Sequence, residues 1–228
     1  MLILAVDTTT PGGSVALLEG GSLLAEANVD SAATHSARLF RSIDFLLDAR
    51  GKDIRDVDAF AVAAGPGSFT GIRIGIGAIK ALALASGRPV VAVSTLLALA
   101  TKLAAAGARL VCPILDAKKG EIYAGLFEAR EGELVEAIPQ GAYDPDAFFA
   151  RLPAGLVISF GGSGLAAYGA KLLSCVGDQA RFPERSPFIA AEIGRIGDGL
   201  IRAGKAIDAA ALEPLYFRRS QAEETCRT

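Results

Sequence analysis

The alternation of hydrophobic and polar residues in the first half of the chain predicts strands separated by turns and amphipathic helices. Short apolar runs bounded by turn residues predict strands at residues 2–8, 14–18, 22–28, 59–64 and 90–93. Longer segments with helical periodicity or a helix-start signal predict helices at residues 36–50, 72–87 and 94–106. The resulting order is β-β-β-α-β-α, followed by one more strand and helix.

The second half of the chain repeats this order. Predicted strands lie at residues 110–116, 121–128, 133–137 and 156–160, and predicted helices lie near 146–152, at 165–173 and at 189–203. Segments 6–26 and 115–136 share one pattern: an apolar residue, an aspartate, a turn, a glycine, alternating apolar residues, a second turn and a glutamate. We therefore predict an α/β protein of two ribonuclease H-like lobes, the architecture of the actin, Hsp70 and sugar-kinase superfamily. The lobes are placed at residues 1–107 and 108–228, the second with the final helix and tail.

Composition narrows the possible functions. Of the 228 residues 51% are hydrophobic and 21% charged, which excludes an intrinsically disordered chain. The formal net charge of −2 gives no basic footprint for binding nucleic acid unaided. The N-terminus lacks the basic region of a signal peptide, and the charge-free runs are too short to span a membrane. We expect a cytoplasmic protein without membrane attachment.

Cysteine and histidine usage argues against metal chemistry. The three cysteines, Cys112, Cys175 and Cys226, form no CxxC pair, so a disulfide framework or cysteine zinc site is not expected. His35 is the single histidine, which excludes any two-histidine metal motif within the chain. We predict neither metal ligands nor catalytic residues, and interpret His35 as a helix-start residue.

Two aspartates at strand ends are candidates for nucleotide binding. Asp7 and Asp116 each end an apolar strand and precede a turn, which begins with Thr8 and Thr9 in the first case. In two-lobed phosphotransferases, aspartates in this position hold Mg²⁺ through water and orient the γ-phosphate, while turn amides bind phosphate. The alternative is an Asx-type turn, in which the carboxylate satisfies nearby backbone amides.

A glycine-rich turn is the third part of this candidate site. Gly161, Gly162, Ser163 and Gly164 connect a predicted strand to a helix, where glycines let the backbone approach an adenosine or a phosphate closely. A tight structural turn explains the same residues. The segment from Gly65 to Gly71 has neither Rossmann nor Walker A spacing, which disfavours a P-loop ATPase.

The first two long helices carry candidate partner-binding residues. In helix 36–50 Phe45 lies about 160° from Ile43, taking about 100° per residue, and so falls outside the apolar stripe of Leu39, Phe40, Ile43, Leu46 and Leu47. Helix 72–87 is small or apolar nearly all round, which requires cover from a partner helix or from a third layer of the same chain. The candidate interface residues are Phe45, Arg73, Gly75, Ala78, Lys80 and Ala81.

Several segments together resemble the bacterial TsaB (YeaZ) family. They are LAVDTTTPGGSVAL (4–17), THSARLF (34–40), AGPGSFTGIRIGIGAIKALAL (64–84), VSTLLALA (93–100), LDAKKGEIYAGLF (115–127) and EPLYFRR (213–219). The resemblance covers nearly the whole chain and is sharpest up to about residue 128. It implies a non-catalytic scaffold or activating subunit that pairs with its paralogue TsaD, and with the ATPase TsaE, to make N6-threonylcarbamoyladenosine beside the tRNA anticodon.

The resemblance also implies which subunit carries the transferase site. TsaD carries the transferase site and a metal-binding His-x-x-x-His where this chain has Thr95 and Leu99, which cannot replace imidazole as a ligand. This chain then needs no cofactor, although ATP and Mg²⁺ are possible in the complex, and it meets tRNA only through the complex. Related chains pair through the first two helices, a face that could also close a homodimer. Two alternatives stay open: a stand-alone ATP-dependent small-molecule kinase, and a peptidase of the M22 glycoprotease type.

Overall fold

The computed structural model describes residues 1–10, 12–29 and 35–217, without the side chains of residues 35–37. It confirms the predicted order of elements in both halves and adds one strand, β10, that the hydrophobic pattern did not indicate. The strands are β1 Leu2–Asp7, β2 Gly13–Glu19, β3 Ser22–Val29, β4 Ala59–Gly65, β5 Val90–Ser94, β6 Leu110–Lys118, β7 Glu121–Arg130, β8 Glu133–Tyr143, β9 Ile158–Gly161 and β10 Ala180–Arg181. The helices are α1 His35–Ala49, α2 Phe69–Ser86, α3 Thr95–Ala104, α4 Pro145–Phe149, α5 Leu165–Val176 and α6 Ala190–Arg202.

The two sheets have the same topology. The first has the strand order β3-β2-β1-β4-β5 and the second the order β8-β7-β6-β9-β10. In each sheet the first three strands form an antiparallel meander, and the fourth and fifth run parallel to the first. The helix between the third and fourth strands makes the crossover that such a mixed sheet requires. This shared topology confirms the internal repeat and the two ribonuclease H-like lobes.

The first compact unit comprises residues 1–95 and 188–215. Helices α1 and α2 cover one face of its sheet, where their apolar residues form a common core with alternate residues of β1, such as Leu4 and Val6. Helix α6 covers the other face. An added Cβ at Gly194 would overlap the Leu18 side chain and one at Gly197 would lie 2.8 Å from the Ala61 Cβ, so both glycines allow close helix-to-sheet packing.

The second unit comprises residues 96–187 with Tyr216 and Phe217. Helices α4 and α5 pack on one face of its sheet, over a core that includes Phe148, Phe160 and Leu172. Helix α3 packs on the opposite face, where Leu103 lies in one apolar cluster with Phe127. Each unit therefore has a helix layer on both faces of its sheet.

The lobe boundary predicted from the sequence, between residues 107 and 108, is wrong for two helices. The prediction assigned α3 to the first lobe and the final helix α6 to the second, whereas the structure places α3 in the second unit and α6 in the first. The physical reason is that an amphipathic pattern shows that a helix packs on a sheet, but not which sheet. The helix that ends each repeat packs on the sheet of the other repeat.

A segment of the same chain supplies part of the third layer over α2. Residues 207–215, called the strap below, follow α6 and include the 3₁₀ turn Ala209–Ala211, which contacts α2. The strap begins with an isolated antiparallel bridge between Ile207 and Val90, and it ends where the Leu215 N–H donates to the Ala64 carbonyl at 2.8 Å. The strap thus covers a side of α2 that the sheet does not reach.

Helix α2 is also the one helix among the described residues that is long and apolar enough to cross a membrane. Its hydropathy has an internal explanation, because Ile72, Ile76 and Ile79 are buried against the first sheet. A buried core helix of a folded unit passes the same test of length and composition.

Candidate functional site

Asp7 is fully buried and its carboxylate is occupied by the turn that follows it. Oδ1 accepts hydrogen bonds from the Thr9 N–H at 2.8 Å and from the Thr9 hydroxyl at 2.6 Å, and Oδ2 accepts from the Thr10 hydroxyl at 3.4 Å. The Thr95 hydroxyl donates in turn to Thr9 Oγ1 at 3.2 Å. This is the geometry of the Asx-type turn, in which the aspartate satisfies local donors.

The start of α2 closes over the same turn. The Ser68 N–H donates to the Thr9 carbonyl at 2.7 Å, and the Thr8 hydroxyl donates to the Gly71 carbonyl at 2.7 Å. Gly71 and Gly75 have no Cβ, and one added at either position would overlap Thr8. The glycines of this segment therefore serve a close internal approach between α2 and the end of β1.

The space left beside Asp7 is too small for a nucleotide phosphate. The cavity lined by Asp7, Ser14 and Arg38 has a volume of about 10 Å³. A cavity of this size holds at most a single water molecule. A hydrated Mg²⁺ ion carrying a phosphate does not fit beside Asp7.

Asp116, in the second unit, is paired with a lysine of its own turn. Its Oδ1 accepts from the Lys118 N–H at 2.8 Å, and its Oδ2 forms an ion pair with the Lys118 ammonium at 2.7 Å. The hydrogen bond from Lys118 holds the pKa of the Asp116 carboxyl below its usual value. The carboxylate stays ionised, but its negative charge is compensated locally.

The glycines of residues 161–164 are also explained by internal packing. A Cβ at Gly162 or Gly164 would overlap Ile114 in the middle of β6, and one at Gly161 would lie 2.8 Å from a Leu103 methyl group. The Gly164 N–H donates to the Ile114 carbonyl at 3.0 Å, and Ser163 is exposed. This turn therefore needs glycine in order to pass over β6, with or without a nucleotide.

These contacts determine whether the carboxylate oxygens of Asp7 and Asp116 face water within each unit. The carboxylate oxygens of Asp7 accept hydrogen bonds from its own turn, and the charge of Asp116 is paired with that of Lys118. The glycine turn at residues 161–164 is packed on its own sheet. Carboxylate oxygens must face water to hold Mg²⁺ through its hydration shell. Within each unit taken separately, the candidate residues are therefore engaged in internal contacts.

The described residues also lack a metal-binding cluster. No group of three or more histidine, cysteine, aspartate and glutamate side chains capable of holding a metal occurs among them. Thr95 and Leu99, at the positions of the paired histidines in the resemblance, are 0% and 6% exposed. Burial raises the pKa of the Cys112 thiol, which disfavours the reactive thiolate.

On the surface of α1, the exposure of Phe45 is as predicted and the exposure of Phe40 is not. Phe45 is 65% exposed, which confirms that it lies outside the core-facing stripe. Phe40 is 46% exposed, so its assignment to that stripe is wrong, while Leu39, Ile43, Leu46 and Leu47 are buried as predicted. Phe40 marks the edge of the stripe, where the sheet no longer covers the helix.

Two of the candidate interface residues on α2 face the interior of the first unit, and a third, Lys80, is half-buried and bonded to the strap. Gly75 lies against Thr8, and Ala78 is 9% exposed and belongs to the apolar core. The Lys80 ammonium donates to the carbonyls of Ala210 and Leu212 in the strap, at 2.8 and 3.4 Å. Gly75 and Ala78 are therefore not available to a partner of the folded chain, whereas Lys80 is already engaged by the strap.

The outward face of α2 includes a residue that the sequence analysis did not select. Exposed residues recur at helical spacing along this face: Thr70, Arg73, Gly77, Ala81 and Leu84. Arg73 lies 3.9 Å above the ring of Phe69, and a Cβ added at Gly77 would meet only open space. Taking about 100° per residue, Gly77 and Ala81 lie roughly opposite the stripe of Ile72, Ile76 and Ile79, which is the signal that could have found Gly77.

Comparison with known proteins identifies the family. The model of the family described as TsaD, tRNA N6-adenosine threonylcarbamoyltransferase, matches residues 29–182, more than half of the chain. The structure of YeaZ from Pseudomonas aeruginosa superimposes with a TM-score of 0.78 and 31% identity, over 94% of this chain and 99% of that chain. The chain belongs to the TsaB (YeaZ) family, within the group that the TsaD model describes.

Two further comparisons show another TsaB relative and a more distant protein with the same fold. The tRNA threonylcarbamoyladenosine biosynthesis protein TsaB of Bacillus subtilis is 37% identical over 142 residues, or 61% of this chain, which spans 60% of the length of that relative. The ROK hexokinase of Thermus thermophilus has a TM-score of 0.50 at 14% identity, over 90% of this chain and 100% of that chain, and shows the shared sugar-kinase fold alone. The His35 side chain and the predicted tail from Arg218 onward lie outside the described residues.

Proposed function

We propose that this chain is a non-catalytic subunit of the machinery that makes N6-threonylcarbamoyladenosine in tRNA. The observation that carries the proposal is the match to YeaZ along almost the whole of both chains, with TsaB relatives named for this biosynthesis. In this proposal the chain pairs with TsaD, acts together with TsaE, and contacts tRNA only within the complex.

The chemistry of the described residues supports a role without catalysis. A transfer step that depends on a protein-bound metal or on a cysteine thiolate is not supported by the described residues, which hold no metal cluster and in which burial raises the pKa of the Cys112 thiol. The aspartate that resembles a phosphotransferase residue, Asp7, is committed to its own turn. We therefore assign the transfer step to TsaD.

The partner surface in this proposal is the outward face of α1 and α2. Phe45 exposes a large aromatic side chain, and apolar exposure of this kind is typical of binding surfaces. Gly77 lies in an exposed helix interior, where glycine costs about 1 kcal/mol relative to alanine. Because none of the residues that the structure describes lies within 4 Å of a Cβ added at Gly77, we attribute this glycine to close approach by a partner helix.

The test is reconstitution of the modification with TsaD, TsaE, a TsaC-type enzyme and unmodified tRNA from the same organism. We expect nucleoside analysis to detect threonylcarbamoyladenosine only when this chain is present together with TsaD. The purified chain alone should produce none, and should retain no stoichiometric transition metal by elemental analysis. Full activity of the other components without this chain, or transfer by this chain without TsaD, would refute the proposal.

A further inference from the structure

The strap, residues 207–215, is attached to the first unit at its two ends by few backbone hydrogen bonds. At one end Ile207 and Val90 exchange both of their N–H···O bonds, at 2.9 and 3.2 Å. At the other end the Leu215 N–H donates to the Ala64 carbonyl at 2.8 Å. These contacts join the strap to β5 and β4, and between them the strap crosses α2.

Between these ends the strap has only two deeply buried side chains. Ala209 and Leu212 are 4% and 2% exposed and lie in the core beside α2, whereas Asp208, Ala210, Ala211, Glu213 and Leu215 are exposed. The 3₁₀ turn of the strap is held largely by itself, since the Asp208 carboxylate accepts from the Ala210 N–H at 2.7 Å. With the partly buried Ile207 at its start, the strap places three apolar side chains on the core.

One side chain joins the middle of the strap to the helix below it. The Lys80 ammonium donates to the Ala210 carbonyl at 2.8 Å and lies 3.4 Å from the Leu212 carbonyl. A charged donor forms stronger hydrogen bonds than a neutral one. Lys80 therefore holds the two carbonyls on either side of Ala211 to the surface of α2.

We infer that the strap opens as a separate unit while the rest of the fold stays intact, and that Lys80 is its latch. Segments with few buried side chains and exposed backbone hydrogen bonds open at lower free energy than the core. Opening uncovers the side of α2 around Ala83 and frees the backbone of Val90 at the edge of β5. The strap thereby controls how much of α2 and of this sheet edge is accessible to another chain, a device independent of the partner proposed above.

Native-state hydrogen exchange of the full chain tests this inference. In the wild type, the Ile207 and Leu215 amides should exchange through an opening that depends weakly on denaturant, well before the amides of β4. Lys80→Met should speed exchange at both amides by about 10-fold, the effect of losing one charge-assisted hydrogen bond, and leave β4 unchanged. The matched control is Lys171→Met, which removes the exposed ion pair with Asp146 on the second unit and should leave the strap unaffected.

Two results would overturn the inference. The first is exchange of Ile207 and Leu215 in the wild type only together with β4, at the same denaturant dependence, because the strap would then open only with the whole unit. The second is an unchanged strap in folded Lys80→Met, because Lys80 would then not be its latch. If Lys80→Met does not fold, Lys80→Arg keeps the charge, and the wild-type denaturant dependence still decides whether the strap opens separately.

Discussion

Asp7 shows how one residue at the end of a strand can serve the fold instead of a ligand. Its carboxylate accepts three hydrogen bonds from Thr9 and Thr10, and the start of α2 packs over the same turn. The sequence left both the metal-binding and the turn-forming interpretation of this aspartate open, with the turn favoured for Asp7 alone, because both place it before a turn. Only the positions of the neighbouring donors separate them.

Replacing Asp7 should therefore affect stability more than activity. We expect Asp7→Ala to lower the free energy of unfolding by about 1–3 kcal/mol, since the Thr9 donors lose a buried acceptor. Asp7→Asn should cost less because an acceptor oxygen remains. Urea denaturation measures the stability, and calorimetry with ATP and Mg²⁺ should show weak binding or none. Tight ATP binding that Asp7→Asn abolishes in a folded chain would contradict this account, as would loss of reconstituted activity with normal assembly.

The turn between β6 and β7 provides a second prediction at the scale of one residue. Lys119 and Gly120 occupy its centre with φ of 54° and 81°, the left-handed pair that such two-residue turns require. Asparagine tolerates this conformation better than lysine does. Lys119→Asn should raise the free energy of unfolding by about 0.5–1 kcal/mol, with the strain of αL lysine as the reason. Unchanged or lower stability in thermal and urea unfolding would show that the lysine side chain compensates for its backbone.

At the scale of elements, the sequence predicted the strands, the long helices and their order, because periodicity reports burial on one face. It could not decide the sheet on which α3 and α6 pack, nor the element that covers the second side of α2. Lys80 illustrates the limit, since nothing in its local sequence indicates that it binds carbonyls 130 and 132 residues away. The phase of the isoleucine stripe is enough to separate Gly75 from Gly77. It does not predict the burial of Ala78, which lies about as far round the helix from the stripe as Gly77 does.

Substitutions on the buried and the exposed side of α2 should have opposite outcomes. Ala78→Arg places a charged side chain in the apolar core and should unfold the first unit, whereas Ala81→Arg points outward and should leave the fold intact. Far-UV circular dichroism with urea denaturation distinguishes the two, and Ala170→Arg, at an exposed position of α5, is the matched control. Equal stability of Ala78→Arg and Ala81→Arg would mean that the assigned inner and outer faces are wrong.

Gly77 gives an independent test of the same outward face. Gly77→Ala should stabilise the isolated chain by about 0.5–1 kcal/mol through helix propensity, since an added Cβ meets open space. The larger Gly77→Leu should fold but bind the partner more weakly, because it holds a facing helix away. A Gly77→Leu variant that binds TsaD with wild-type affinity would place the partner surface elsewhere.

At the scale of the whole molecule, the fold is of the sugar-kinase type, and the candidate nucleotide residues make internal contacts within each unit. What the fold retains on its surface is the face of α1 and α2, with Phe45, Gly77 and Ala81 exposed. In the function proposed above, the chain acts by pairing with TsaD, and TsaD performs the chemical step. The same face could also close a homodimer when TsaD is absent.

The most direct test of this claim is size-exclusion chromatography with light scattering of this chain mixed with TsaD from the same organism. We predict a stable heteromeric complex, which Phe45→Asp and Ala81→Arg weaken by at least about 10-fold, as expected at central positions of an interface. Leu156→Asp, at an exposed apolar position of the second unit, should bind like the wild type. A complex that forms equally well with folded Phe45→Asp and Ala81→Arg would contradict the assigned surface, and no complex with TsaD at all would contradict the proposed function.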